Sequence, residues 1–171
     1  MPPKLYDLTT LQREANRFFG YTAQETLQEL QELYEDKLVT YPRTDSQYIT
    51  EDMEQSTMEL LEVLPEILPF LEGNMGYDVG RIINNDKVSD HHALLPTKES
   101  VKKGFSQLTE KQRNLYCMIG QRLAQAVSKE CTYEETQITV QCAGHEFMAK
   151  GKRMTEPGFW KIATGFRASL K

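Results

Sequence analysis

The chain has 171 residues, of which 39% are hydrophobic and 26% charged, and its formal net charge is −5. This length can bury a core as one domain, or as one domain plus a fragment of another, and the composition is ordinary for a globular protein. No apolar run approaches the length that spans a bilayer, and the start at Met1-Pro2-Pro3-Lys4 lacks the apolar core of a signal peptide. We therefore expect no membrane partner.

Cysteine usage limits the possible sites further. The three cysteines are odd in number, widely spaced and never in a CxxC pair: Cys117, Cys131 and Cys142. This pattern predicts neither a disulfide framework nor a zinc site, and it favours a reducing, cytoplasmic location.

Acidic residues are concentrated in the first half of the chain. From Glu25 to Asp78 there are 14 acidic residues, with only Lys37 and Arg43 as bases. An acidic balance argues at first against nucleic acid as a partner, and the acidic stretches are most simply solvated helix surfaces. Arg43 is nevertheless almost alone in its neighbourhood, which is consistent with a specific role for its charge.

The first elements are predicted to be helices. Apolar residues at helical spacing indicate a helix from about Thr10 to Phe19, with Asp7 or Thr9 as cap and Gly20 as its stop. Thr22 opens a second helix with a capping box and the helix ends near Asp36. Its predicted apolar face consists of Ala23, Leu27, Leu30 and Tyr34. Leu38 to Tyr41 then predicts a short β segment.

Further helices and then strands are predicted along the rest of the chain. Thr50 begins a third helix that Pro65 interrupts, Gly73 to Gly76 form a loop, and Lys98 to Ser106 form a basic connector. The capping box at Thr109 opens the longest helix, which runs to about Ser128. Alternation at Thr136, Ile138 and Val140 predicts a half-buried strand, Ala143-Gly144 a turn, and Glu146 to Lys150 the return strand.

A candidate nucleophile lies in the stretch Thr40 to Ser46. Pro42 disfavours a helical conformation at Tyr41, so this stretch is predicted to be extended. Residues two apart in an extended chain point to the same face, which places the Tyr41 phenol beside the Arg43 guanidinium. That pair suits attack on a phosphodiester, because arginine can hold the phosphate oxygens bidentately. The alternative is an ordinary turn with Tyr41 as its anchoring ring.

The second candidate is the histidine pair His91-His92, followed by Pro96 and Thr97. Histidines on an irregular segment can donate to a phosphate or shuttle a proton. A metal site would need further ligands, and Cys117 and His145 are distant in the sequence. The simplest alternative is one buried, hydrogen-bonded histidine and one at the surface.

These motifs together resemble a known enzyme family. The stretch Tyr41 to Ser46 is similar to the active-site tyrosine motif of type IA DNA topoisomerases. The stretch from Tyr6 to Asn16 resembles the segment that precedes it, His91 to Thr97 the histidine motif, and Glu156 to Trp160 the return from the tyrosine domain. Order and spacing also agree, so the resemblance covers nearly all of the chain. Pro42 and the paired histidines are closer to the topoisomerase III branch.

The resemblance implies roles for these residues. Tyr41 would attack single-stranded DNA and form a transient 5′-phosphotyrosine, which permits strand passage and religation without ATP. Arg43 would stabilise charge on the phosphate, and His91 would hold a phosphate near the cut. His92, Thr44 and Asp45 are candidate DNA-binding residues, and Asp45 could orient Arg43 or His91. The alternative function is a non-catalytic helical module that binds DNA or protein.

The resemblance also implies an architecture. The fold class is α+β, mainly α. We expect a winged-helix-like tyrosine domain over residues 1–130 and a β hairpin of the adjoining arch domain over residues 131–171. The toprim domain, whose clustered acids bind Mg²⁺ in this family, is expected to be absent from the chain, as are the other arch segments. We accordingly expect no metal ligands here and no DNA relaxation by this chain alone.

Overall fold

The computed structural model describes residues 1–71 and 76–169. The chain is mainly helical with one antiparallel pair of strands, as the α+β prediction requires. The elements are, in order, α1 (Leu8–Phe19), α2 (Ala23–Glu35), α3 (Glu54–Val63), α4 (Lys98–Lys103), α5 (Glu110–Ala126), β1 (Thr132–Cys142), β2 (His145–Glu156) and α6 (Trp160–Ser169). The predicted loop at residues 73–75 lies outside the described residues.

The helix starts follow from their caps. The Asp7 carboxylate accepts from the Thr10 amide, so α1 begins two residues earlier than predicted. The capping boxes at Thr22 and Thr109 are both present, each with a reciprocal bond from the third residue of the helix. Gly20 ends α1 with φ of +74°, a conformation that glycine adopts without a steric cost.

One core joins the helices to the irregular segments between them. Leu11 and Ala15 of α1, Leu30 and Leu33 of α2, and Leu115 of α5 are fully buried in it. The predicted apolar face of α2 is partly wrong, because Ala23 and Tyr34 are exposed. Leu30 is buried as predicted, and the helix also buries Thr26 and Leu33. Thr26 can be buried at low cost because its hydroxyl donates to the Thr22 carbonyl at 2.9 Å.

Short helical turns lie between the longer helices. One turn of 3₁₀ helix, Glu51–Met53, precedes α3. Another, Leu64–Glu66, follows it and contains Pro65. Two more lie at Val79–Ile82 and Asn85–Lys87. The basic stretch 98–106 was predicted to be a connector and instead begins with α4, whose Ser100 is buried against Tyr116. No described helix is long and apolar enough to cross a membrane.

The hairpin stands clear of the core. β1 and β2 pair antiparallel through a turn at Ala143-Gly144, where both residues have positive φ. The alternating pattern predicted a half-buried strand, but every residue of both strands is exposed, including Ile138, Val140 and Phe147. The prediction of a buried face is wrong for this chain, because no other described element packs against the hairpin.

After the hairpin the chain returns to the helical core. In α6, Ile162 and Phe166 are fully buried, and Phe166 packs against Phe70 with ring centroids 5.7 Å apart. The expected single β segment over residues 131–171 is therefore wrong from Trp160 onward, where an amphipathic helix packs on α5. Assigning the hairpin itself to an arch domain stays a prediction.

Candidate active site

The Tyr41 segment is held by backbone bonds to the histidine segment. Val39 pairs with Pro96 as a single antiparallel bridge. The Thr40 amide donates to the Leu95 carbonyl at 3.0 Å, and the Leu95 amide donates to the Thr40 hydroxyl at 2.9 Å. The extended conformation expected before Pro42 is therefore also stabilised by a partner strand. Two segments that lie 50 residues apart in the sequence become one local scaffold.

Two buried hydroxyls fix the other side of the motif. Thr44, only 6% exposed, donates from its hydroxyl to the His91 carbonyl at 3.0 Å. Its own carbonyl accepts from the Leu8 amide at 3.0 Å, which attaches the start of α1. The Ser46 hydroxyl donates to the Lys87 carbonyl at 2.8 Å. Thr44 is thus placed to position His91, whereas its burial does not suit the direct DNA contact predicted for it.

Tyr41 lies between two other rings. Its centroid is 4.3 Å from that of His91 and 5.4 Å from that of Tyr34, which meets it edge-on from the end of α2. The Tyr41 ring is half-buried, and its hydroxyl forms no hydrogen bond within the described parts of the chain. The phenol is thus oriented by ring contacts while its oxygen stays open to an incoming group.

Tyr41, Arg43 and His91 surround connected surface clefts. Arg43 and His91 line a cleft of about 410 Å³ together with Thr44, Asp45 and the start of α1. Tyr41 and Arg43 line a second cleft of about 560 Å³ along the polar face of α2. The guanidinium is exposed and has no acidic partner among residues 1–71 and 76–169. The predicted proximity of Tyr41, Arg43 and His91 is present in the structure.

His92 faces a different side of Tyr41. It lines a third cleft, of about 500 Å³, with Tyr34, Lys37 and Tyr41, and its Nδ1 lies 2.8 Å from the Ala93 carbonyl. The two histidines therefore line different clefts near the nucleophile candidate. One is free to meet a ligand and the other is held by the backbone, which resembles the simple alternative of one bonded and one surface histidine.

Asp45 is exposed in the cleft of Arg43 and His91 but hydrogen-bonds to neither of them in the part of the chain that the structure describes. The orienting contact suggested for it is therefore not seen. Asp7 and Asp90 also line this cleft. Across residues 1–71 and 76–169, no group of three or more histidine, cysteine or acidic side chains comes together as a metal site.

Sequence reasoning missed two neighbours of the site. Asp7 both caps α1 and lines the cleft, and its other carboxylate oxygen accepts from Gln47 at 2.9 Å. Tyr34 was predicted to lie on the buried face of α2 but is 39% exposed and packs on Tyr41. The sequence feature that could have linked Tyr34 to the site is its position in the last turn of α2, just before the extended Tyr41 segment.

Comparisons with known proteins identify the family of the chain. A DNA topoisomerase family model matches residues 1–169. DNA topoisomerase 3 of Bacillus subtilis is 41% identical over 171 residues, covering 93% of this chain and 22% of that protein. DNA topoisomerase 3 of Bacillus licheniformis is also 41% identical, with 96% and 23% covered.

The fold has a solved counterpart. The structure of full-length topoisomerase I from Thermotoga maritima matches with a TM-score of 0.68 and 24% identity, covering 95% of this chain and 27% of that one. The chain thus spans about a quarter or less of the proteins that it matches. From the family match over nearly its whole length, and from its identity to topoisomerase 3 proteins, the chain belongs to the type IA DNA topoisomerases.

Proposed function

We propose that this chain carries the nucleophile of a type IA topoisomerase, and that Tyr41 attacks a phosphodiester of single-stranded DNA. The observation that supports this is the open phenol oxygen of Tyr41, on a ring fixed 4.3 Å from the His91 ring and sharing a cleft with Arg43. A purely structural tyrosine would be expected to bury its ring and bond its hydroxyl to the backbone. The Tyr41 ring is only half-buried, and its hydroxyl has no such bond in the described structure.

The proposed step exchanges one phosphodiester for another. The Tyr41 oxygen forms a bond to phosphorus while the bond from phosphorus to the 3′ oxygen of the preceding nucleotide breaks. The phenol loses its proton to a base, and the departing 3′ oxygen gains one. Because the number of phosphodiester bonds is unchanged, the 3′ hydroxyl can attack the phosphotyrosine and reseal the strand without ATP. Strand passage would occur between the two steps.

The cations beside Tyr41 have complementary roles in this proposal. Arg43 is exposed at the junction of two clefts, so its guanidinium can reach two oxygens of a phosphate and stabilise the charge that develops on them. His91 packs on Tyr41 and can donate to a phosphate near the cut. Asp45 and His92 would contact DNA from the two neighbouring clefts, and Thr44 would act through the His91 carbonyl.

The remaining parts of the reaction would come from the longer parent protein. Mg²⁺, single-stranded DNA and the toprim and arch domains are the proposed partners, and the reaction is proposed to take place in the cytoplasm. Acidic oxygens are the ligands that Mg²⁺ prefers, and the described residues bring together no such group. The metal would therefore be bound outside this chain, where it would help to orient the phosphate and balance its charge.

A chimera tests the nucleophile directly. The chain replaces the matching segment of Bacillus subtilis topoisomerase 3, and the protein is incubated with Mg²⁺ and a single-stranded oligonucleotide labelled at its 3′ end. Denaturant then traps any protein linked to the 5′ phosphate of the labelled piece. We expect an adduct with the unmodified chimera and none with Tyr41→Phe, which loses only the nucleophilic oxygen.

Tyr34→Phe is the matched control, because Tyr34 is a half-exposed ring in contact with Tyr41. This variant should retain the adduct. Equal adduct from the unmodified and Tyr41→Phe chimeras would refute the nucleophile assignment. A chimera that folds and binds DNA but never forms an adduct would favour the non-catalytic module.

A further inference from the structure

A second cationic cluster lies outside the Tyr41 clefts. The ammonium nitrogens of Lys4 and Lys87 lie 5.4 and 5.1 Å from the centroid of the Tyr48 ring. Both lysines are exposed, and neither pairs with a carboxylate within residues 1–71 and 76–169. The chain has an excess of acids, so two unpaired lysines at one phenol are not explained by local charge balance.

The cluster has the electrostatics of an anion site. The ammonium of Lys4, helped by that of Lys87, lowers the pKa of the Tyr48 phenol. Both positive charges therefore act on one oxygen. Two like charges held near each other repel, and an anion bound between them would relieve that repulsion. The Tyr48 hydroxyl adds a third polar group at the same place.

Buried bonds hold two members of the cluster in fixed positions. The Ser46 hydroxyl, on a residue only 4% exposed, donates to the Lys87 carbonyl at 2.8 Å and accepts from the Tyr48 amide at 3.2 Å. The Tyr48 carbonyl accepts from the Ala93 amide at 2.9 Å. The backbone of Tyr48 and of Lys87 is thus held by the same scaffold that joins the tyrosine and histidine motifs.

The cluster also adjoins the cleft of Arg43 and His91. Lys4, Gln47 and Tyr48 line a groove of about 220 Å³. The Gln47 side chain donates to Asp7, which lines the Arg43 cleft from the other side. This hydrogen bond therefore links a residue of the groove to a residue of the cleft. A strand that passes from the cleft across this pair would approach Lys4 and Tyr48, and Lys87 lies beside the Tyr48 ring.

We propose that Lys4, Tyr48 and Lys87 form a binding site for a backbone phosphate of single-stranded DNA, separate from the cleavage cleft. The inference extends the proposed function, since the same strand would pass through both places. The site would recognise the phosphate and not the base, because two ammonium groups and one hydroxyl offer hydrogen-bond donors but no pattern that distinguishes one base from another. Ser46 is a positioning residue for this site.

Salt-dependent binding tests the cluster without any cleavage. Fluorescence anisotropy of labelled oligothymidylate, titrated with the 171-residue chain, gives affinity at several salt concentrations. We expect Lys4→Gln with Lys87→Gln to weaken binding and to reduce the slope of log affinity against log salt by about 0.7, the value for one lost phosphate contact on a single strand. Between 50 and 200 mM salt the affinity of the double variant should then fall by a factor about 2.6 times smaller than that of the unmodified chain.

A charge-matched control separates this site from a general field effect. Lys102→Gln with Lys161→Gln removes two exposed lysines elsewhere and should change the slope little. Tyr48→Phe, which keeps the ring and both lysines, should weaken binding by a smaller factor. Equal slopes for the two double variants, or no binding by the unmodified chain at low salt, would overturn the proposal. Circular dichroism confirms that each variant is folded.

The two proposals can fail independently. If binding depends on Lys4 and Lys87 but the chimera forms no adduct through Tyr41, only the nucleophile proposal is refuted. If the adduct requires Tyr41 but binding does not change in the Lys4 and Lys87 variants, only the phosphate site is refuted.

Discussion

At the scale of single residues, the site combines a fixed ring with an open oxygen. Tyr41 contacts His91 and Tyr34 through its ring, and these contacts restrict its rotation. Arg43 is unpaired in the described part of the chain, so in the proposed reaction no ion pair would have to be broken before it meets a phosphate. Its guanidinium would then stabilise the charge that develops on the phosphate oxygens.

Arg43→Ala tests that electrostatic role. In the chimera, the variant should form the covalent adduct about 10²- to 10³-fold more slowly, the usual effect of removing one donor from a charged transition state. Single-turnover rates with the 3′-labelled oligonucleotide measure it. The free energy of unfolding should change by less than about 0.5 kcal/mol, because Arg43 is an exposed side chain.

Arg17→Ala provides the comparison for this variant, because Arg17 is an exposed arginine on α1 outside the clefts that surround Tyr41. Its adduct should form at the unmodified rate. An Arg43→Ala chimera that cleaves as fast as the Arg17→Ala chimera would show that Arg43 does not stabilise the reacting phosphate.

The relation between Tyr41 and Arg43 was predictable, but their surroundings were not. Pro42 restricts the local backbone, so the spacing of two residues was enough to place both side chains on one cleft. His91 could be linked to Tyr41 only through the family resemblance, because its position depends on long-range bonds such as that from Thr44. Rules based on local sequence do not predict hydrogen bonds between segments that are far apart in the chain.

At the scale of elements, the junction of hairpin and helices depends on one close approach. The Phe159 amide donates to the Lys129 carbonyl at 3.0 Å, so the chain leaves and re-enters the helical core at the same point. Gly158 lies there with φ of +45°, and a Cβ on it would lie 2.3 Å from the Glu130 carbonyl oxygen. Only glycine fits both the backbone conformation and the space.

Gly158→Ala should therefore destabilise the chain. We expect a loss of about 1–3 kcal/mol or more in the free energy of unfolding, because the clash is with backbone that cannot turn away. Urea denaturation followed by circular dichroism measures this loss. Gly151→Ala is the control in β2, where an added Cβ meets nothing within 4 Å. Similar stability of the two variants would mean that the junction adapts.

Helices and strands with strong local sequence signals were predicted correctly. Their buried faces were not, because these depend on the elements that pack against them. Capping boxes fixed the starts of α2 and α5. The buried face of α2 was misjudged because Thr26 looks polar until its hydroxyl bond to Thr22 is known. The alternation in β1 correctly predicted a strand, but whether Ile138 is covered depends on elements that pack against it, and it is 57% exposed here.

At the scale of the whole molecule, the chain corresponds to a small part of its longer relatives, and it spans 22% of Bacillus subtilis topoisomerase 3. Its hairpin exposes Ile138, Val140 and Phe147 together on one face, since Val140 pairs with Phe147 across the sheet. The helical core nevertheless includes both ends of the described chain, from Leu5 to Phe166. The site is thus assembled on a folded unit, while the hairpin extends away from it.

We expect this folded unit to be inactive in DNA relaxation by itself. Relaxation requires cleavage, passage of a second strand and religation while both cut ends are held. Tyr41 could retain only the 5′ end, and the described residues form no cluster that would bind Mg²⁺. Negatively supercoiled plasmid, incubated with the chain and Mg²⁺ and separated by agarose electrophoresis, should keep its linking number, whereas the chimera should relax it. Relaxation by the chain alone, lost in Tyr41→Phe, would show that the nucleophile needs no further domain.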